Sequence, residues 1–150
     1  MPCATKRSDT LMEPGNIATI AVIDDDEDVR DVLGVLLEEC GHSVRAYASA
    51  PQFLADRNHG DVICVIVDQK MPEMSGLQLL AELDQRGIHV PSLLITGAYD
   101  RDTIQGAFHS NAIAVLEKPM APVQLLQFVT LAANSYPSTE PPIVDLAEYE

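Results

Sequence analysis

Three short apolar runs constrain this chain more than any other feature, because each stops abruptly at charged residues. Ile20-Ala21-Val22-Ile23 leads into Asp24-Asp25, and Val62-Ile63-Cys64-Val65-Ile66-Val67 leads into Asp68. Ile113-Ala114-Val115-Leu116-Glu117 leads into Lys118-Pro119. Unbroken Val/Ile/Leu runs of this length suit strands buried on both faces, as in a parallel sheet covered by helices. In open sheets of that kind ligands bind outside the carboxyl ends of the strands. The sequence therefore places three carboxylates and an ammonium at the edge where such proteins do chemistry. That set points to a site for a divalent cation and a phosphoryl group.

Strand-like and helix-like segments alternate along the rest of the chain. A strand at 18–23 precedes a helix at 27–40, where Val29, Val32, Leu33, Leu36, Leu37 and Cys40 recur at helical spacing before Gly41 stops it. A strand at 43–47 leads to Ser49, an N-cap with Pro51 in the first turn of a helix running to Arg57. The strand 62–67 precedes a loop from Asp68 to Ser75 and a helix at 76–86, with Leu77, Leu80 and Leu83 on one face and Gly87 as its stop. A strand at 92–95 ends at Thr96-Gly97, and Asp100 caps a helix at 100–110. A strand at 112–117 and a helix at 121–134, burying Leu125, Phe128, Val129 and Ala132, complete the pattern. Five strand–helix units joined by short connections predict an α/β fold, a doubly wound parallel sheet with helices on both faces. Residues 1–17 read as a flexible leader and 135–150, rich in proline and acid, as a flexible tail. The chain ends too soon after the last helix for an output domain to be expected within it.

Composition narrows the function. At 150 residues and 47% hydrophobic content, the chain has enough material for one domain with a real core. It has no apolar stretch long enough for a membrane span and no apolar core for a secretory signal, so a cytoplasmic location without membrane contact is expected. A formal net charge of −14, with no basic cluster beyond Lys6-Arg7, argues against direct binding of nucleic acid. The three cysteines, Cys3, Cys40 and Cys64, have no CxxC spacing and are expected as reduced thiols, two of them in apolar runs. His42, His59, His89 and His109 show no paired spacing and read as surface or satisfied loop residues.

The strand ends make sense together. In the flavodoxin-like order 2-1-3-4-5, strands 1 and 3 are neighbours at the switch point, so Asp24, Asp25 and Asp68 converge on one crevice. Crowded carboxylates repel one another and need a cation to stay ionised at neutral pH. Oxygen-only ligands with room for water match Mg²⁺ better than Zn²⁺. Thr96 adds a hydroxyl and Lys118 a compact positive charge, which is what a carboxylate nucleophile needs to attack a phosphoryl group.

Four stretches in this order carry a family resemblance. They are Val22-Ile23-Asp24-Asp25-Asp26, Val67-Asp68-Gln69-Lys70-Met71-Pro72-Glu73-Met74-Ser75-Gly76, Ile95-Thr96-Gly97 and Glu117-Lys118-Pro119, with the spacing between them. The chain resembles the receiver domain of bacterial two-component response regulators, of the FixJ-like type, over residues 18–134. The resemblance implies that Asp68 is the phosphoacceptor and that Asp24 and Asp25 bind Mg²⁺ directly or through water. It implies a backbone carbonyl from Lys70 on the same metal, Thr96 as the switch hydroxyl, and Lys118 as the phosphoryl-pairing lysine. Members of the family often have a cis bond before the equivalent of Pro119. The donor implied is a histidine kinase or histidine phosphotransfer protein, and the reader is an unknown downstream protein. Such a protein is a phosphoacceptor rather than an enzyme, and assists only its own phosphorylation and dephosphorylation. Homodimerisation through the helix 4–strand 5–helix 5 face is common in the family.

Three departures from the family pattern bear on signalling. Val115 stands where an aromatic coupled to the switch threonine is usual, and Asn111 stands where glycine is common. Gly106 inside helix 4 costs about 1 kcal/mol relative to alanine. Together they predict a mobile or divergent output face. Two other functional classes compete. A haloacid-dehalogenase-type phosphatase also uses an aspartate at a strand end, but wants a second acid two residues later, where Lys70 stands. A pseudo-receiver, a phosphorylation-independent interaction module, is opposed by the presence of Asp24, Asp25, Asp68, Thr96 and Lys118.

Overall fold

Five buried strands and the helices between them follow the alternation of the sequence closely. A computed structural model describes residues 19–56, 60–97, 100–110, 112–119 and 121–135. The leader, Arg57, His59, Asn111 and the tail beyond Ser135 lie outside these residues. The strands are β1 (Thr19–Ile23), β2 (Ser43–Tyr47), β3 (Val62–Asp68), β4 (Ser92–Thr96) and β5 (Ala112–Glu117). The helices are α1 (Glu27–Glu39), α2 (Ala50–Ala55), α3 (Gly76–Gln85), α4 (Arg101–Phe108) and α5 (Pro122–Ser135). All strands are parallel, in the order β2-β1-β3-β4-β5. Right-handed crossovers from such an order put α1 and α5 on one face and α2, α3 and α4 on the other.

Burial explains why the central strands read as unbroken apolar runs. Every residue of β1 and β4 is buried, and in β3 only Ile63 is partly accessible. The edge strand β2 is half-accessible along most of its length, as its polar Ser43 and Arg45 require. Its start is tied down by Asp61, which accepts from Arg45 Nη2 at 2.6 Å and from Thr19 Oγ1 at 2.7 Å. Each fully buried Leu or Ile, such as Leu37, Leu79, Leu94 and Leu125, stabilises the fold by roughly 2 kcal/mol relative to exposure.

Helix ends fall where cap chemistry puts them. Asp26, Ser49, Ser75 and Asp100 each accept a main-chain N–H from the first turn of α1, α2, α3 and α4. Gly41 (φ 92°) and Gly87 (φ 76°) turn the chain out of α1 and α3 through the left-handed region.

Three expectations change. In α1 only Leu33 and Leu37 are buried, while Val32 is 65% exposed. At about 100° per residue, Val32 lies a quarter-turn away from Leu33, outside the arc the sheet can cover. Cys40, the C-cap of α1, is half-buried and disulfide-bonded, so the reduced buried thiol is found at Cys64 alone among the described residues. Burial pushes the Cys64 thiol up to about 12. Gly106 is a packing position: a methyl there would lie 2.7 Å from Leu77 Cδ1, so α4 approaches α3 through bare backbone. Gly106 is thus explained by close approach, which removes one of the three grounds for expecting a loose output face.

Gly34 is the contrasting case, since a Cβ added there meets nothing within 4 Å. Gly34→Ala should stabilise the protein by about 1 kcal/mol through α1 propensity, read as a raised thermal unfolding midpoint.

Candidate functional site

Register assembles the site. Ile23 pairs with Val67, so Asp24 and Asp68 follow from neighbouring strands at the same level. Asp68 pairs with Ile95 and Thr96 pairs with Glu117, which places Thr96 and Lys118 one step further along the same carboxyl edge. The carboxylate oxygens of Asp24, Asp25 and Asp68 lie within 4.8 Å of one another. Asp24 is 2% exposed and Asp68 5%, whereas Asp25 faces solvent. Lys118 Nζ is 3.3 Å from Asp68 Oδ2 and 3.7 Å from Asp24 Oδ2. The Lys118–Pro119 peptide bond is cis. Thr96 is buried at the end of β4.

The acidic run after β1 divides its labour. Asp26 caps α1 by accepting from Asp28 N at 2.9 Å. Asp24 turns inward: its Oδ1 accepts from Asp26 N at 2.9 Å, and its main-chain carbonyl accepts from Arg30 Nη1 at 2.7 Å. Burial is the main reason the Asp24 carboxyl is pushed up to about 6. The Asp26 N–H opposes that rise, Asp68 adds to it, Lys118 opposes it, and Asp25 adds a little more. Burial disfavours the Lys118 ammonium, but the attraction of Asp24 and Asp68 outweighs it and the net shift is upward. One ammonium thus serves two buried carboxylates, with a third beside them. A hard divalent cation with oxygen ligands fits this donor set, and its charge would oppose the rise that burial and the neighbouring carboxylates impose on Asp24.

The loop after β3 holds Asp68 in place. Asp68 Oδ1 accepts from Lys70 N at 3.3 Å. Glu73 is the one non-glycine residue with positive φ (71°) among those described, and Met74 N donates to the Pro72 carbonyl at 2.7 Å beside it. Gly76, the first residue of α3, has no room for a side chain. An added Cβ would sit 2.7 Å from the Asp68 carbonyl oxygen, 2.7 Å from Leu94 Cδ1 and 3.1 Å from Gln69 Cα. Gln69 and Gly76 stand in the sequence motif without a role, and the structure gives each one.

Beside Lys118 an apolar groove of about 580 Å³ runs between α1 and the start of α5. Val29, Val32, Leu33, Leu36, Pro119, Pro122 and Leu125 line it, with Asp28 and Lys118 at its polar margin.

A five-stranded parallel sheet in the order 2-1-3-4-5, with helices on both faces and this acid–lysine cluster at its carboxyl edge, is the arrangement of receiver-type signalling domains. Residues 20–130 match the response regulator receiver domain, and the chain belongs to that family. It is 33% identical over 134 residues to the response regulator protein TodT of Pseudomonas putida, covering 87% of this chain and 59% of that protein. It is 41% identical over 100 residues to the transcriptional regulatory protein FixJ of Azorhizobium caulinodans, covering 67% of this chain and 47% of that one. The chain therefore spans about half the length of these curated relatives. A response regulator receiver domain protein from Clostridium thermocellum superposes with a TM-score of 0.72 at 30% identity, over 79% of this chain and 95% of that one. No described helix is long and apolar enough to cross a membrane.

The raised Asp24 carboxyl has a direct consequence for the cation-free protein. A folded-state value near 6 against an ordinary 3.8 means the folded protein holds this proton more tightly than the unfolded chain. That contribution is complete below about pH 4 and is lost as pH rises through about 6. Asp24→Asn, measured in EDTA, should therefore gain in melting temperature over the wild type as pH is raised from 4 to 7. The difference should then level off, and a divalent cation should narrow it by stabilising the wild type.

Proposed function

We propose that this domain accepts a phosphoryl group on Asp68 from a histidine kinase or a histidine phosphotransfer protein, with Mg²⁺ as the cofactor. The observation that carries the reading is the single ammonium of Lys118 set 3.3 Å from the Asp68 carboxylate inside the three-acid cluster. A lone buried acid–base pair would not need two further carboxylates, whereas phosphoryl transfer needs both a nucleophile and compensation for the incoming charge. In this reading Asp24, Asp25, Asp68 and the main-chain carbonyl of Lys70 hold Mg²⁺, which when bound neutralises charge on the phosphoryl oxygens.

The rest of the chemistry falls to the chain. A carboxylate oxygen of Asp68 attacks phosphorus, the donor's nitrogen–phosphorus bond breaks, and the imidazole leaves with the bonding pair. Lys118 moves from the Asp68 carboxylate to the phosphoryl oxygens, and Thr96 approaches the same group. Burial of Asp68 limits access of the water that would hydrolyse the acyl phosphate. The α1–α5 groove lined in part by Lys118 offers apolar surface next to the acceptor for a protein donor. The changed α4–β5–α5 face, where Phe108 is 48% exposed on α4, is read by a downstream protein or a second copy. These roles fit a cytoplasmic signalling protein that acts through protein contacts and assists only its own phosphorylation and dephosphorylation.

Intact mass after incubation with acetyl phosphate and Mg²⁺ tests the reading. One added phosphoryl group is expected, absent from Asp68→Asn and from a sample with EDTA. A folded wild type that takes up no phosphoryl group, even from a panel of histidine phosphotransfer proteins, would favour a phosphorylation-independent interaction module.

A further inference from the structure

Gln69 directly follows Asp68, and the proposed chemistry has given it no role. Its main-chain N–H donates to the Ile95 carbonyl at 2.7 Å, carrying the β3–β4 ladder one residue past the strand. The chain then leaves the sheet and arches through Lys70 to Ser75. At the far side of the arch the chain returns to the same residue. Gly76 N donates to the Gln69 main-chain carbonyl at 3.1 Å, and Leu77 N donates to Gln69 Oε1 at 2.8 Å. Both feet of the arch thus stand on Gln69.

Helix capping alone does not account for this. α3 already has a reciprocal cap, in which Ser75 Oγ accepts from Gln78 N and Gln78 Oε1 accepts from Ser75 N. The N–H groups of the first two helical residues could have been left to water, as many first-turn donors are. Here both are spent on the residue beside the acceptor. The absence of room for a Cβ at Gly76 presses the helix start against the peptide of Asp68 itself. The arch carries Lys70, the main-chain ligand in the proposed cation site.

We propose that Gln69 is a positioning residue for phosphoryl transfer: by accepting from Leu77 N, its side chain fixes the arch that carries the Lys70 carbonyl, and so sets the affinity for Mg²⁺ and the reactivity of Asp68. The inference rests on the reading of Asp68 as acceptor and Lys70 as ligand. Hydrogen bonds that orient metal ligands commonly change metal affinity by about 10–100-fold when removed.

Two substitutions separate positioning from packing. Gln69→Met keeps length and bulk without an acceptor oxygen, and Gln69→Glu keeps the oxygen. With acetyl phosphate as donor, Gln69→Met should raise the half-saturating Mg²⁺ concentration about tenfold and slow phosphorylation at saturating Mg²⁺, with Gln69→Glu restoring most of both. Wild-type Mg²⁺ dependence in Gln69→Met, whatever its melting temperature, would overturn the proposal, as would a folded Gln69→Glu as impaired as Gln69→Met. Amide exchange in the wild type supplies an independent readout that does not need the variants to fold. The Leu77 N–H should become more protected on adding Mg²⁺ alone, and unchanged protection would overturn the proposal. A wild type that binds Mg²⁺ and protects Leu77 but takes up no phosphoryl group would instead sink the acceptor reading, leaving the hold of Gln69 on the cation loop standing.

Discussion

One ammonium between two buried carboxylates is the interaction on which this molecule turns. Asp24 and Asp68 come from adjacent strands, and the parallel register leaves them no choice but to meet. Two like charges out of water at this distance are costly, and breaking such a group by removing one partner leaves an uncompensated charge. Lys118 offsets part of that cost from the far side of the sheet edge, reaching across β4 from the end of β5. The offset is incomplete, as the raised Asp24 carboxyl records. The fold is thus held slightly out of electrostatic balance at one place, and any charge brought to that place would change the balance directly.

The sheet serves this arrangement by being dull. Its central strands are apolar through their middles, so no charged group there competes with Asp24 and Asp68 for Lys118. Among the described residues the polar groups of the sheet gather at its two ends, with the acid–lysine cluster at the carboxyl edge and the Thr19–Arg45–Asp61 tie and buried Ser92 towards the other. A rigid apolar slab with its reactive groups along one rim lets small shifts at the rim reach the flanking helices.

Most of this was legible in the residue order, for a definite reason. A strand buried on both faces must be apolar throughout, so its end is marked by the first charge, and Asp24, Asp68 and the Glu117-Lys118 pair mark three strand ends. The cap residues Asp26, Ser49, Ser75 and Asp100 were similarly visible, although the acidic run after β1 hid which acid caps and which faces inward. What the sequence concealed depends on distances between segments far apart in the chain. The helical spacing of Val32 counts it as core, and only the width of the sheet leaves it outside. Gly106 looked like a weakness until Leu77 was found against it. Gln69 had no signal at all, because a glutamine that caps a helix eight residues ahead leaves no local pattern. The disulfide at Cys40 was equally invisible to spacing rules.

The bare meeting of α3 and α4 at Gly106 has a mechanical meaning. Where two helices touch through side chains, a shift in one can be absorbed by rotating a bond in the other. Where a leucine tip rests on glycine backbone, as Leu77 does at Gly106, only the leucine can turn, so the slack lies on the α3 side alone. A shift of α4 against α3 is therefore met first by that one side chain.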